Sequence, residues 1–218
     1  MERRTAPAII FDLDGTLMDT LQDLFLSTNH ALRACSMPQR TIDEVRRFVG
    51  NGIGMLIHRA VPEGTDAQAE ARCLECFRAH YVAHCQDHTQ LYPGIRPLLD
   101  ELQRRRIPMA VVSNKLQAGV SELSLRWFGD TIPVAIGERA GIRRKPAPDM
   151  VLLAIAELGV RREDCIYVGD SDVDLATARN AGLPCISVLW GFRDRPFLLA
   201  HGATSFAEHP REILDMIN

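Results

Sequence analysis

The sequence has little of what marks a membrane protein, a nucleic-acid binder or a repeat protein. Its 218 residues contain no long apolar run, no internal repeat and no low-complexity segment. The formal net charge of -3 gives no general electrostatic attraction to nucleic acid or to an anionic membrane. The first residues lead into an apolar run that is too short for a signal peptide or a membrane span. We therefore expect a cytoplasmic protein with no nucleic-acid partner and no membrane partner.

Cysteine occurs at six positions, but no export signal accompanies it, so a disulfide framework is not expected. The spacing of Cys73, Cys76, His80 and His84 superficially suggests a zinc site. However, the segment 65–88 has the apolar periodicity of one helix, and four side chains on one straight helix cannot surround an ion tetrahedrally. We interpret these residues as helix packing and leave any further role open.

Five short apolar runs predict the strands of a sheet. They are mostly continuous rather than alternating, which is typical of strands covered on both faces. Segments with helical periodicity separate the later runs. Alternation of strand and helix indicates an α/β protein with a Rossmann-like parallel sheet and right-handed crossovers. The predicted strands are 8–11, 109–112, 133–136, 165–168 and 185–189.

The interval between the first and second predicted strands is far longer than one crossover needs, and it is helical in character throughout. A turn signal at Tyr92-Pro93-Gly94 marks the return to the sheet domain. We predict an inserted α-helical cap at 17–91 and an α/β core formed by 1–16 and 92–218. Because the insert begins just after the first strand, we expect it to lie over the end of that strand, where it can exclude water and select substrates.

The segment Asp12-Leu13-Asp14-Gly15-Thr16 directly follows the first predicted strand. Side chains alternate along an extended chain, so Asp12 and Asp14 project to the same side. Two carboxylates beside a metal ion can divide the work of a displacement, because one attacks while the other moves protons. The alternative is a strand that simply ends in an Asp-Gly turn.

Polar residues also follow the second predicted strand. Ser113 and Asn114 offer a hydroxyl and a backbone amide for an anion, although the same pair is a common helix cap. We place Lys115 in the exposed first turn of the next helix. In the basic loop 143–145, Lys145 is the cation best placed to reach a phosphate.

Asp170, Asp172 and Asp174 follow the fourth predicted strand. Three acids this close repel one another unless a cation lies among them, and helix capping explains only one of them. We predict Mg²⁺ here, with Asp170 as a direct ligand, Asp174 as a water-mediated or supporting partner, and Asp172 facing solvent. Ligands of open α/β sheets bind at the carboxyl ends of the strands, where Asp12, Ser113 and Asp170 are all expected.

Four motifs follow one another along the chain: DLDGT (12–16), SN (113–114), KP (145–146) and GDSDVD (169–174). Together they resemble the haloacid dehalogenase-like superfamily of aspartate-dependent phosphohydrolases, and the resemblance covers nearly the whole chain. The segments 49–54, 91–94 and 112–115 look most like its phosphoglycolate phosphatase branch. The resemblance implies a Mg²⁺-dependent phosphatase acting on a small phosphorylated metabolite, with 2-phosphoglycolate as the favoured substrate.

The resemblance also implies roles for the acids. Asp12 would attack phosphorus in line and form an aspartyl-phosphate. Asp14 would protonate the leaving alkoxide and then deprotonate the water that hydrolyses the intermediate. The Asp12 carboxylate, the Asp14 backbone carbonyl and Asp170 would bind Mg²⁺, with Asp174 in support.

The phosphoryl oxygens would be held by Ser113, the Asn114 amide and Lys145. The loop 50–54 is our candidate for substrate selection, with a flexible turn between two helices as the equal alternative. The implied substrate-binding residues are Thr16, Ser113, Asn114, Lys145, Gly50 and Asn51.

The superfamily that this chain resembles also includes enzymes with other activities. Asp14 argues against C–halogen cleavage, because dehalogenases of this type lack the second acid. A sugar-phosphate mutase similar to β-phosphoglucomutase keeps that acid, but such enzymes usually carry an Arg where this chain has Ile53. A pyrophosphatase is also possible. A phosphate-binding module without activity is the remaining alternative, and binding alone needs no proton shuttle. The sequence leaves open whether the protein is a monomer or a homodimer.

Overall fold

The structure is a computed structural model that describes residues 8–217. Residues 1–7 and residue 218 lie outside the described residues. Two predictions fall on the segment 1–7: that the core begins there and that it is not part of a signal peptide. Between residues 8 and 217, no helix combines the length and apolar character needed to cross a bilayer.

The strands in the described part of the chain are β1 (Ala8–Phe11), β2 (Met18–Asp19), β3 (Gln90–Leu91), β4 (Met109–Leu116), β5 (Val134–Glu138), β6 (Cys165–Gly169), β7 (Cys185–Val188) and β8 (Phe206–Ala207). Six of them form one sheet in the order β5-β4-β1-β6-β7-β8, while β2 pairs with β3. Each pairing within the six-stranded sheet is parallel. The predicted Rossmann-like α/β fold is confirmed.

Helices connect and cover these strands. They are α1 (Leu21–Ala34), α2 (Ile42–Phe48), α3 (Gly52–Ala60), α4 (Ala67–His84), α5 (Ile95–Arg104), α6 (Gln117–Trp127), α7 (Asp149–Leu158), α8 (Asp172–Ala181), α9 (Arg195–Ala200) and α10 (Glu212–Met216). Their ends follow local sequence rules. Thr41 caps α2 through a reciprocal capping box with Glu44, and α7 and α8 end at glycines in the left-handed conformation.

The hydrophobic core explains the continuous apolar runs. All four residues of β1 are buried, and Ile9 pairs with Met109 on one side and Ile166 on the other. Met150 and Val151 of α7 belong to one buried hydrophobic cluster with Ala8 and Ile10 of β1. A central strand covered on both faces has no solvent side, so its sequence does not alternate.

The chain divides into two compact units. One comprises the described residues up to Leu17 together with those from Leu91 onward, and it contains the six-stranded sheet. The other is Met18–Gln90 and contains α1 to α4. Within this helical unit, buried Asp23 of α1 accepts hydrogen bonds from the backbone amides of His88 and Thr89 and from the Thr89 hydroxyl, so it fixes the end of the unit to its first helix.

Two details differ from the sequence-based expectations. β4 continues to Leu116, so Ser113, Asn114 and Lys115 are strand residues rather than the entry to a helix. Leu116 is the N-cap of α6 and makes no side-chain cap, so helix capping does not account for the Ser-Asn pair. In addition, β8 adds a sixth strand, which at two residues is too short to give a periodic signal.

Candidate active site

The order of the strands determines which loops meet. β1 lies between β4 and β6 in a parallel arrangement, so the residues that follow these three strands emerge at the same edge of the sheet. Asp12 follows β1, Ser113 and Asn114 lie near the end of β4, and Asp170 follows β6. This edge is where ligands of open α/β sheets bind.

Asp12 is buried at the end of β1. Its Oδ1 accepts a hydrogen bond of 2.7 Å from the backbone amide of Leu13 and lies 2.8 Å from Lys145 Nζ. Burial raises the pKa of Asp12 well above its ordinary value, with a further contribution from Asp174 that Lys145 opposes. Lys145 therefore favours the ionised form of Asp12, against the cost of desolvation.

Lys145 lies between two carboxylates. Its Nζ is 2.8 Å from Asp12 Oδ1 and 2.8 Å from Asp174 Oδ1, and it also donates to the Tyr167 hydroxyl at 3.1 Å. Burial by itself lowers the pKa of Lys145, but the two carboxylates outweigh that effect, so the pKa lies above its ordinary value. The Asn114 amide donates to the Lys145 backbone carbonyl at 3.1 Å, which ties the loop of this cation to β4.

Asp174 is fully engaged by hydrogen bonds. Its Oδ1 accepts from Lys145 and, at 3.0 Å, from the Tyr167 hydroxyl. Its Oδ2 accepts from the amide and hydroxyl of Ser171 at 3.1 and 2.6 Å, forming the capping box at the start of α8. Gly169 lies directly against this side chain, and a Cβ at residue 169 would overlap Asp174. Asp174 is thus held rigidly as the partner of Lys145.

Asp170 is buried at the end of β6. Its Oδ2 accepts a 2.7 Å hydrogen bond from the Phe192 amide, and its Oδ1 accepts a 3.3 Å hydrogen bond from the Thr16 hydroxyl. Burial, with a contribution from Asp174, raises the pKa of Asp170 to about 7, against the opposing effect of the Phe192 amide. Gly15, at a φ of +84°, and Gly191 both approach this carboxylate so closely that a Cβ at either position would overlap it.

The donor set fits a divalent cation. Asp12, Asp170 and Asp174 each offer a carboxylate oxygen within 4.8 Å of the other two, and no other group of His, Cys, Asp or Glu between residues 8 and 217 meets this criterion. Three buried acids face one buried lysine, and burial, followed by the neighbouring charge of Asp174, raises the pKa values of Asp12 and Asp170. Carboxylate oxygens are the ligands that Mg²⁺ prefers. Since Asp174 already accepts four hydrogen bonds, Asp12 and Asp170 are the better placed to bind the ion directly.

The remaining sequence-predicted residues divide between the two units. Ser113 and Asn114 are buried on β4, and Ser113 Oγ accepts the Lys115 amide at 3.2 Å. Gly50 and Asn51 belong to the helical unit, where Asn51 Oδ1 accepts a 2.8 Å hydrogen bond from Arg59. Asn51 is therefore engaged in holding its own loop, and a role in substrate binding stays a prediction.

Lys115 was expected in an exposed helical turn, and that expectation is wrong. The residue is buried at the end of β4, and its Nζ lies 3.5 Å from Asp14 Oδ1. Among residues 8–217, Asp14 Oδ1 has no hydrogen-bond donor in addition to this ion pair. The second acid of the DLDGT motif is thus accompanied by a buried cation.

The loop after β7 also reaches the site, although no sequence-based expectation included it. The Trp190 indole donates to the Thr16 carbonyl at 2.9 Å, and the Phe192 amide binds Asp170. Arg193 lies near the same acids and lowers the pKa of Asp170. No motif marks this loop; only its position after a strand next to β6 could have drawn attention to it.

The Cys and His residues of α4 are spread along the helix. Cys73 is buried, and burial raises the pKa of its thiol to about 12. The His80 ring stacks between those of His30 and His84, with centroid separations of 4.0 and 4.3 Å. These contacts agree with the interpretation of the helix as a packing element.

The parallel sheet and its buried acids define a Rossmann-like α/β protein with a site suited to a divalent metal. A family model described as haloacid dehalogenase-like hydrolase matches residues 9–188. The chain belongs to the haloacid dehalogenase-like hydrolase family, as its motifs indicated.

Relatives within the family resemble the chain over its whole length. The phosphoglycolate phosphatase of Chromobacterium violaceum is 31% identical over 100% of this chain and 99% of its own length. That of Rhodobacter capsulatus is 34% identical over 91% of each chain. The crystal structure of a candidate phosphoglycolate phosphatase from Lactobacillus delbrueckii subsp. bulgaricus superposes with a TM-score of 0.93 at 35% identity, covering 97% of this chain and 98% of that one.

Proposed function

We propose that the chain is a Mg²⁺-dependent phosphatase that hydrolyses a small phosphate monoester through an aspartyl-phosphate. The observation that carries the proposal is the contact between Lys145 and Asp12, beside two further buried carboxylates. An ionised carboxylate with one oxygen held by a cation is suited to nucleophilic attack. The four motifs of the sequence supply the same residues at one edge of the sheet.

In the proposed reaction, Asp12 attacks phosphorus with the carboxylate oxygen that Lys145 does not hold. Lys145 neutralises charge on the transferring phosphoryl group while it remains anchored to Asp174. The Ser113 hydroxyl and the Asn114 backbone amide, at the end of β4, bind the equatorial oxygens. Because these donors are fixed by the strand and by buried hydrogen bonds, little reorganisation is needed during transfer.

Asp14 carries the protons in both half-reactions. It protonates the leaving alkoxide while Asp12 becomes phosphorylated, and it then deprotonates the water that cleaves the aspartyl-phosphate. Its side chain is partly accessible, in contrast to Asp170 and Asp174, which leaves it able to meet a substrate and a water molecule.

Asp12 and Asp170 would hold Mg²⁺, and the Asp14 backbone carbonyl is the third proposed protein ligand. When bound, the ion would supply positive charge that neutralises the phosphoryl oxygens and balances the excess of buried acids. Phosphate monoester hydrolysis calls for rate enhancements of up to ~10²¹. Acid–base catalysis contributes about 10²–10⁴, so positioning and charge neutralisation must contribute most of the remainder.

The favoured substrate is 2-phosphoglycolate. This proposal rests on the names of the relatives, which align along nearly the whole chain, and on the resemblance of segments 49–54 and 112–115 to that branch. The role of the helical unit as a cap that selects the substrate belongs to the same proposal. The cytoplasmic location, the absence of nucleic-acid and membrane partners, and the choice between monomer and homodimer stay predictions.

The test compares wild type, Asp12→Asn and Asp172→Asn on p-nitrophenyl phosphate and 2-phosphoglycolate. Asp172 is the matched control, because it lies in the same acidic segment but is only partly buried and outside the cluster. We expect hydrolysis by wild type and Asp172→Asn that requires Mg²⁺ and stops with chelator, and none by Asp12→Asn.

Persistent turnover by Asp12→Asn would contradict the covalent mechanism, and the absence of turnover by wild type would contradict the phosphatase. The same assay with pyrophosphate and β-glucose 1-phosphate, analysed for free phosphate and for glucose 6-phosphate, separates the pyrophosphatase and mutase alternatives.

A further inference from the structure

Lys115 is a buried cation for which the proposed chemistry has no assigned use. Lys115 and Lys145 are the lysines of this chain, and the rest of its 25 Lys and Arg residues are arginines. Both lysines are buried near the same strand ends. Lysine provides a compact, three-donor charge, whereas arginine provides a planar fork, so the two are not interchangeable at a buried position.

The two lysines serve different acids. Lys145 contacts Asp12 and Asp174 on the side of the nucleophile. The Lys115 Nζ lies 3.5 Å from Asp14 Oδ1. The Lys115 side chain is only 6% exposed, so it is buried to the same degree as a core residue. The aliphatic part of Lys115 runs along Gly119 of α6, where an added Cβ would come within 3.3 Å of its Cε. The ammonium is therefore directed at the acid that meets the leaving group.

The position of Asp14 limits where the leaving group can lie. A general acid has to come within about 2.6–3.2 Å of the ester oxygen that it protonates. An ammonium 3.5 Å from that acid can then reach atoms two or three bonds beyond the ester oxygen. In 2-phosphoglycolate a single methylene separates the ester oxygen from a carboxylate, so the carboxylate lies within this reach.

We propose that Lys115 binds the carboxylate of the leaving group and thereby selects substrates with an anionic group next to the ester oxygen. The proposal rests on the proposed phosphatase function and deepens it, because it names the residue that distinguishes phosphoglycolate from neutral monoesters. The ammonium bridges Asp14 and the substrate carboxylate, while Lys145 is retained for the phosphoryl group.

A role limited to positioning Asp14 makes a different prediction. If Lys115 only held the acid, its loss would slow two alkyl monoesters with similar leaving groups by the same factor, since both require the same proton transfer from Asp14. If Lys115 binds the carboxylate, its loss slows the anionic substrate more than a neutral one. The preference between two substrates therefore distinguishes the two roles, and it does not depend on how much of a variant is correctly folded.

The experiment measures kcat/KM for 2-phosphoglycolate and for 2-phosphoglycolamide, in which a neutral amide replaces the carboxylate. Wild type, Lys115→Met and Lys115→Arg are compared. We expect wild type to prefer the carboxylate and Lys115→Met to lose that preference by roughly 10- to 100-fold, the range of a hydrogen bond to a charged group. Lys115→Arg keeps the charge and should retain part of the preference.

An unchanged ratio of the two kcat/KM values in Lys115→Met would overturn the proposal, even if both values fell. A wild type that hydrolyses both esters without preference would overturn it as well and would leave the phosphatase function standing. A wild type that hydrolyses p-nitrophenyl phosphate but neither of these esters would overturn this inference and leave the phosphatase function standing, whereas a wild type that hydrolyses none of the three would overturn both.

Discussion

Lys145 Nζ lies 2.8 Å from Asp12 Oδ1. The same ammonium is the buried counter-charge of Asp174, so one cation balances charge on both carboxylates. Replacement by Met would leave three buried acids without this cation. We expect Lys145→Met to lower kcat by about 10²–10³ or more, as for the loss of a fixed electrostatic donor, and to cost about 3–5 kcal/mol of the free energy of unfolding.

Arg144 is the matched control for Lys145, because it is the adjacent cation and its side chain is 43% exposed. Arg144→Met should change the free energy of unfolding by no more than about 0.5 kcal/mol. Equal losses of activity in the two variants would show that the loop, rather than the Lys145 charge, is what matters.

A second prediction concerns the capping box that holds Asp174. Ser171→Ala removes the hydroxyl that donates to Asp174 Oδ2 at 2.6 Å. We expect a loss of about 1 kcal/mol in stability and a rise of about 10-fold in the Mg²⁺ concentration needed for half-maximal activity, because partners of metal-binding groups have effects of this size. Thermal unfolding and Mg²⁺ titration of activity measure both quantities.

Thr41→Ala provides the comparison, since Thr41 and Glu44 form the same kind of capping box on α2 in the helical unit. It should lose a similar amount of stability with no change in the Mg²⁺ requirement. A shift in the Mg²⁺ requirement of both variants would mean that lost stability alone explains the effect.

The third prediction follows from the approach of Gly191 to Asp170. A Cβ at residue 191 would overlap the Gly15 carbonyl and the Asp170 side chain. Gly191→Ala therefore has to displace the proposed metal ligand, and we expect at least a 100-fold loss of activity with an unfolding cost of about 1–3 kcal/mol. Gly159→Ala, at a φ of +66° with open space around it, is the comparison for a glycine substitution away from the acids, and it should lose stability through backbone strain without losing activity. Should both variants keep full activity, the fit between Gly191 and Asp170 would be irrelevant to the site.

The pKa of Asp170 predicts how the metal-free protein responds to pH. Burial raises this pKa from 3.8 to about 7. Between these values the folded protein holds a proton that the unfolded chain has lost, so the free energy of unfolding falls as the pH rises through this interval. With chelator present, the Tm of wild type should drop by roughly 5 °C more than that of Asp170→Asn between pH 5 and pH 8. Parallel curves for the two proteins would contradict the assignment.

The double role of Asp14 can be tested by the choice of leaving group. Asp14→Asn should slow both formation and hydrolysis of the phosphoryl-enzyme by about 10²–10⁴ with an alkyl phosphate. With p-nitrophenyl phosphate the leaving group needs little protonation, so formation should be nearly normal and the intermediate should accumulate. Rapid-quench experiments measure the burst of product and the accumulation of the phosphoryl-enzyme directly. If the intermediate does not accumulate and the steady-state rates are unchanged, the proposed role of Asp14 is refuted.

The sequence was informative where short-range physics decides the structure. The apolar run of β1 predicted this strand, and the acids that follow it pointed to Asp12 as a candidate site residue at the end of the strand. α1 and α2 lie in the stretch that was predicted to be helical, because their apolar spacing and the Thr41–Glu44 pair are local signals. The capping box at Ser171 is also a local signal, because an acid lies three residues after a serine, although Asp174 was expected only to support metal binding.

Long-range pairing decided what the sequence did not reveal. β4 extends to Leu116 because Leu116 pairs with Glu138 of β5 after a shift in register, and that extension carries Lys115 into the interior. A lysine gives no local signal that it will be buried. The contacts of Trp190 and Phe192 with the site likewise depend on the position of β7 beside β6, which only the folded sheet establishes.

The chain leaves the sheet unit and returns to it at neighbouring points, since the Tyr92 amide donates to the Leu17 carbonyl at 3.1 Å. A segment whose two ends are adjacent can be exchanged without changing the register of the strands around it. The stretch from Met18 to Gln90 is thus a replaceable module. Grafting a different insert between Leu17 and Leu91 would keep the strands, and the acids that follow them, in the same register.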